Sequence, residues 1–173
     1  MHQFLLVGLF CVVRVAAQVP IDEQSKVSFQ IKNFGVAVTG TFSGLKGDIQ
    51  FDPAVPENSS VNISIDAKTI DTGIDLRDNH LRKEEYFDVE VYRTISFASQ
   101  NLSMQDGRWK ALGRLTIKKT TKEISFPFEV ITLKDGYVFK GTFTLNRRDF
   151  GVGGSSFSMG DEVVVGFKVR MKW

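Results

Sequence analysis

The chain has 173 residues, with 22 basic and 20 acidic side chains and a formal net charge of +2. That length suits one domain with a sizeable core. So even a balance argues against a nucleic-acid partner, which asks for a basic stripe, and no apolar run is long enough for a membrane span in the mature chain.

Residues 1–17, MHQFLLVGLFCVVRVAA, are apolar from Phe4 to Val13, with small residues before a cut near Ala17–Gln18. This is the pattern of a secretory signal peptide. It predicts a periplasmic or secreted protein with one domain over 18–173. The charge expected before the apolar run is poor, with only His2 and the amino terminus, and Arg14 follows the run. Cleavage would remove Cys11, the one cysteine, so the mature domain is expected to hold no disulfide, thiolate nucleophile or cysteine metal site. Losing Arg14 takes the 22 basic residues to 21, against 20 acidic.

From residue 26 onward the chain alternates. Val27, Phe29 and Ile31 share one parity, as do Val61, Ile63 and Ile65. So do Ile95 and Phe97, then Ile124, Phe126, Phe128 and Val130, then Tyr137, Phe139, Phe143 and Leu145, and finally Val163, Val165, Phe167, Val169 and Met171. A period of two argues half-buried strands. Turn chemistry separates them at Asn33-Phe34-Gly35, Asp52-Pro53, Pro56-Glu57-Asn58, Asp106-Gly107 and Asp135-Gly136. The two Asp-Gly pairs read as tight hairpins. Eight strands are predicted, at about 26–33, 36–51, 60–70, 94–104, 108–118, 122–133, 137–147 and 162–172. Gly40, Gly44 and Gly47 suggest bends or bulges in the second, and Pro127 a bulge or a locally unpaired position in the sixth.

Eight strands in short-turn succession predict an all-β fold, an antiparallel meander closed into a barrel, with a two-sheet sandwich as the alternative. The alternation fails only over 71–93. There Leu76, His80, Lys83 and Phe87 recur at helical spacing after Asp75, a cap residue, so a short helix and a loop are expected between strands three and four.

Catalytic chemistry finds little footing. His80 stands among Arg77, Asp78, Arg82, Glu84 and Glu85. No G-x-S-x-G turn accompanies it, and Gly153-Gly154-Ser155 lacks that frame. It is the only histidine outside the leader, no EF-hand spacing appears, and no metal or other cofactor is expected. The structural reading is that these side chains satisfy one another and the loop backbone. Lys118-Lys119 reads as a solvated turn. Arg147-Arg148, beside the unusual run Asp149-Phe150-Gly151-Val152-Gly153-Gly154, reads equally well as a turn or as a rim contact to a ligand's polar end. The fifteen phenylalanines fall mostly on the alternating apolar face. An eight-stranded barrel either fills itself with such side chains or encloses one small ligand, and periodicity does not choose between them.

Four stretches together resemble the YceI-like family of bacterial lipid- or polyisoprenoid-binding proteins. The first is Val27-Ser28-Phe29 with the run from Gly40 to Gly47. The second, the most specific, is Ile70-Asp71-Thr72-Gly73 with Arg77-Asp78-Asn79-His80-Leu81-Arg82 and Phe87-Asp88. The third is Leu112-Gly113-Arg114-Leu115-Thr116-Ile117 with Thr121-Lys122. The last is Asn146-Arg147-Arg148-Asp149-Phe150-Gly151 with Asp161-Glu162-Val163. The likeness spans about 20–173. It departs at Gln24, Arg93, Lys118-Lys119 and the charged Lys83-Glu84-Glu85-Tyr86. The resemblance implies an extended, lipocalin-like antiparallel barrel, an apolar tunnel holding an isoprenoid chain, export to the periplasm, and no enzyme activity.

The expectation is therefore an exported, non-enzymatic carrier or store of a long apolar lipid, such as a polyisoprenoid or isoprenoid quinone. It neither binds nucleic acid nor spans a membrane, and a homodimer is left open. Strand parity selects Val27, Phe29, Ile31, Phe97, Phe126, Phe128, Phe139, Phe143, Val165 and Phe167 as tunnel lining. Arg77, Asp78, His80, Arg82 and Arg148 are expected at the mouth or in its closure. A side-chain-filled barrel that binds a protein partner or serves a stress response, and an enzyme acting on a lipid, are the competing readings.

Overall fold

The computed structural model describes residues 22–172; the leader expected over 1–17, with Cys11 and Arg14, lies outside them. Nine strands follow in order: β1 (Lys26–Asn33), β2 (Val36–Phe42), β3 (Lys46–Gln50), β4 (Ser60–Asp66), β5 (Thr94–Gln105), β6 (Arg108–Ile117), β7 (Thr120–Leu133), β8 (Gly136–Asn146) and β9 (Met159–Lys172). One helix, α1 (Asp75–Leu81), lies between β4 and β5. All pairings are antiparallel, in one curled sheet ordered β2-β1-β9-β8-β7-β6-β5-β4-β3.

The count of eight is corrected to nine because the predicted strand at 36–51 divides. Its first part pairs with β1 and its second with β4. Between them Ser43-Gly44-Leu45 turns the chain, with Gly44 at φ +71°, a value open to glycine without steric cost. This division also closes the curl. β2 and β3 are the two outer strands of the sheet, and three residues of backbone join them. The two outer strands are thus linked by a covalent corner, with no ladder of hydrogen bonds between them.

A second seam runs between β7 and β8. β7 pairs with β6 from Thr120 to Phe128, then with β8 from Glu129 to Leu133. Pro127, which has no N–H to donate, falls just before β7 takes up β8 as a partner. The local lack of pairing expected at this proline is therefore found on its β8 side.

The hairpins follow their turn chemistry. Asp106 and Gly107 take φ +50° and +74°, as a two-residue type I′ turn requires. The β7–β8 loop is Lys134-Asp135, one residue earlier than the expected Asp-Gly centre, because Gly136 already pairs with Leu133 and Lys172. Alternation is cleanest in β6, where Trp109, Ala111, Gly113, Leu115 and Ile117 are buried and the residues between them are exposed or half-buried. Asp75, expected as the helix cap, is instead the first residue of α1. Ile74 holds the cap position and makes no side-chain capping bond.

Candidate ligand-binding cavity

The inner face of the curled sheet does not fill itself. It encloses a cavity of about 260 Å³ whose lining is overwhelmingly apolar. All ten side chains selected by strand parity face it. The sequence reading did not pick out Phe42, Leu45, Ile49, Ile63, Leu115 and Phe87, which line it too. An apolar lining of this kind favours apolar guests over water.

One end is closed by aromatic rings. Phe51, immediately after β3, lies 4.9 Å from Trp109, 5.1 Å from Tyr137 and 5.0 Å from Phe139, centroid to centroid, each in an edge-on arrangement. Trp109 and Phe128 stand 6.0 Å apart. Edge-to-face packing of this sort adds to the area buried. Midway, Phe126 stacks on Phe143 at 4.7 Å and meets Phe167 and Phe97 at 5.6 and 5.3 Å. All four rings belong to the lining of the cavity.

The other end opens. On β2 the inner-facing residues are Phe42, Gly40, Val38 and Val36, opposite Val27, Phe29, Ile31 and Asn33 of β1. Phe42 is 8 % exposed and Val36 67 %. Exposure that rises along one inner column locates the mouth at the β1–β2 turn. Ile31, Val38, Leu145 and Val163, nearer that end, are only half-buried.

Residues 67–93 cover the gap beside β2. Thr41 and Asp71 exchange two backbone hydrogen bonds, at 2.8 and 3.0 Å, which extends the free edge of β2. Phe87 packs edge-on against Phe42 at 5.6 Å, and Phe42 against Phe29 at the same distance. Arg82 donates from Nε to the Lys68 carbonyl and from Nη2 to the Ile70 carbonyl, both at 2.9 Å. Buried Asp78 accepts through Oδ1 from the Thr72 N–H at 2.9 Å and its hydroxyl at 2.5 Å. Arg77 donates from Nε to Thr72 Oγ1 at 2.7 Å and from Nη2 to the Thr72 carbonyl at 2.8 Å.

The five polar residues expected at the mouth therefore separate. Arg77 lines the cavity itself, and Asp78 and Arg82 hold the closing segment to its neighbours. His80 is exposed and meets only the Tyr86 ring, at 4.9 Å. Arg148 lies outside the lining, with Nη1 3.4 Å from Asp161 Oδ2. Its neighbour Arg147 takes the inward position. It is 4 % exposed and donates to the carbonyls of Gly160, Val152 and Gly154 at 2.8–2.9 Å and to Asp161 Oδ1 at 2.8 Å. At the mouth, Asn33 also borders the cavity, and its Oδ1 is buried with no hydrogen-bond partner among the described residues. No group of three or more metal-ligating side chains comes together among the described residues.

Comparison with known proteins agrees with this architecture. The YceI-like domain matches residues 20–171. A UPF0312 protein of Ectopseudomonas mendocina is 33 % identical over 149 residues, covering 80 % of this chain and 78 % of its own. BcnA of Burkholderia cenocepacia superposes with a TM-score of 0.83 at 26 % identity, over 87 % of this chain and 98 % of its own. A polyisoprenoid-binding domain from Saccharophagus degradans has the same fold, with a TM-score of 0.74 at 17 % identity, over 92 % of this chain and 99 % of its own. With the domain match running from residue 20 to residue 171, the chain belongs to the family of YceI-like domains.

Proposed function

We propose that this protein is an exported carrier or store that holds one long apolar lipid, a polyisoprenoid or an isoprenoid quinone, in its cavity. The observation that carries the reading is the cavity: apolar along its length, sealed by rings at Phe51 and open at Val36. A chain drawn into it leaves water at a gain of about 25 cal/mol per Å² of apolar surface, offset by the cost of ordering a flexible chain. The polar end of the cargo lies at the mouth, where Arg77 and the unpartnered Asn33 Oδ1 border the lining. The polyisoprenoid-binding domain of Saccharophagus degradans shares the fold and is consistent with such a cargo.

The side-chain-filled alternative is disfavoured by the same cavity. The enzymatic one finds no histidine in the lining among the described residues: His80 is exposed and stands behind Tyr86, whose ring is part of the lining. The reading therefore assigns the protein no catalytic step.

The test is native mass spectrometry of the protein purified from its own host, followed by organic extraction and mass analysis. A stoichiometric adduct of isoprenoid mass, lost in a folded Val165→Trp variant whose indole occupies the cavity, supports carriage. A protein free of adduct, still unliganded after incubation with long prenyl chains and quinones, overturns it.

A further inference from the structure

Large apolar side chains are exposed around the mouth: Phe34 on the β1–β2 turn, Val36 beside it, Phe157 between β8 and β9, and Ile74 and Leu76 at the start of α1. They come from three separate segments that border one opening. The Phe34 N–H donates to the Ser158 carbonyl at 2.7 Å, which joins the hairpin to the β8–β9 loop. Asn33, Thr72, Arg77 and Met159, each within two residues of one of the five, all line the same cavity. Single exposed apolar residues are ordinary on a protein surface; a ring of them round the entrance of an apolar cavity is not.

Two of the three segments, the β1–β2 turn and the β8–β9 loop, are also without charge. None occurs between Lys32 and Lys46, or between Asp149 and Asp161. Aromatic and aliphatic side chains on uncharged tips are what enters the boundary between headgroups and acyl chains at least cost. We infer that the mouth docks on a lipid bilayer, with Phe34, Val36 and Phe157 inserted at the headgroup boundary and Ile74 and Leu76 resting on it. The inference rests on the lipid-carrier reading, because it supplies what that reading lacks: a route by which an apolar cargo passes between membrane and cavity without crossing water. Asp75 lies beside Leu76, so apolar area drives docking rather than attraction to anionic lipid.

The experiment is flotation of the full chain with phosphatidylcholine vesicles, with and without phosphatidylglycerol, comparing the native sequence with Phe34→Ser/Phe157→Ser. Cargo content by native mass spectrometry and Tm are read on the same samples. The expected result is a partition coefficient lower by about a hundred-fold in the double variant, from two phenyl rings no longer buried, with Tm unchanged and host-acquired cargo reduced. Leu76→Ser alone gives a smaller drop, and phosphatidylglycerol and salt have little effect. Docking is overturned if the double variant floats as well as the native protein, or if cargo-loaded native protein does not float at all. It is also overturned if light scattering shows a dimer that the double variant disperses while neither form binds vesicles, since the ring is then a contact between copies. Flotation that depends on Phe34 and Phe157 in a protein that never carries cargo leaves docking standing and removes the carrier reading.

Discussion

The Phe29 ring occupies the space in which any side chain at Gly40 would begin. The two residues face each other across β1 and β2, and a Cβ on Gly40 would lie 2.4 Å from Phe29 Cζ and 3.0 Å from the Asp71 carbonyl oxygen. The absence of a side chain at 40 thus lets Phe29 lie back against β2, towards Phe42, rather than stand in the cavity. Gly40→Ala is expected to lose about 1–3 kcal/mol through overpacking and to reduce cargo capacity by driving the ring inward. Phe29→Leu in the same chain should recover more than half of that loss. Urea unfolding of the two single variants and the double one reads the coupling, and strictly additive effects would show that the ring contact is not the cause.

Arg147 governs the β8–β9 loop. Its guanidinium reaches four carbonyls spread over residues 152–160 as well as Asp161. Arg147→Met keeps the apolar stem but orphans those acceptors, and should cost about 2–4 kcal/mol, the sum of several buried bonds lost together. Arg148→Met removes only a half-exposed contact to Asp161 at 3.4 Å and should stay within about 0.5 kcal/mol of the native protein. Equal losses at the two arginines would contradict this division of roles. Equilibrium unfolding settles it, and hydrogen exchange of the amides over 151–160 should accelerate only in the Arg147 variant.

Two basic positions of the closing segment make a second contrast. Arg82 ties Lys68 and Ile70 to the end of α1, whereas His80 makes one ring contact in water. Arg82→Ala should cost about 1–3 kcal/mol for two bonds to backbone carbonyls. His80→Ala should change stability by less than about 0.5 kcal/mol and leave lipid retention unaltered. A turnover or a lipid capacity that disappears with His80 while the fold survives would revive a chemical role for this side chain.

Much of this was legible because parity along a strand survives when the strand is regular. Val27, Phe29 and Ile31 face the cavity as their spacing predicts, and so do Phe139, Phe143, Val165 and Phe167. Parity fails where the register shifts. In β5 the ladder slips between Ser99 and Asn101, so that Phe97 and Leu102, of opposite parity, both line the cavity. The corner at Ser43–Leu45 hides Phe42, Leu45 and Ile49 in the same way, because it breaks the parity of a 36–51 run that reads as one strand. The adjacent arginines were ambiguous for another reason. They belong to a 3-10 turn, Arg147–Phe150, with no period of two, and only the geometry of that turn sends Arg147 inward and Arg148 out. The twenty-two residues from Asp71 to Tyr92 show a helical start and the family likeness. Their attachment to β2 through Thr41 and Asp71 is a backbone pairing that no residue type encodes.

The closed end of the cavity depends on one side chain outside any strand. Phe51 is buried and meets Trp109, Tyr137 and Phe139 edge-on, so it joins the β5–β6 and β7–β8 hairpins beneath the cavity floor. Phe51→Ala should cost about 3–5 kcal/mol, from the transfer term plus the void left among three rigid rings that cannot all collapse into it. Because that void adjoins the cavity, water and small quenchers should then reach Trp109 from beneath. Acrylamide quenching of Trp109 emission, in a background lacking Trp173, should rise severalfold in the variant under conditions where circular dichroism still shows the native sheet. Phe51→Leu, which keeps most of the volume but none of the ring edges, should fall between the two. If Phe51→Ala unfolds within about 1 kcal/mol of the native protein and Trp109 stays shielded, the floor is sealed by the hairpins alone and Phe51 is packing without consequence for the cavity.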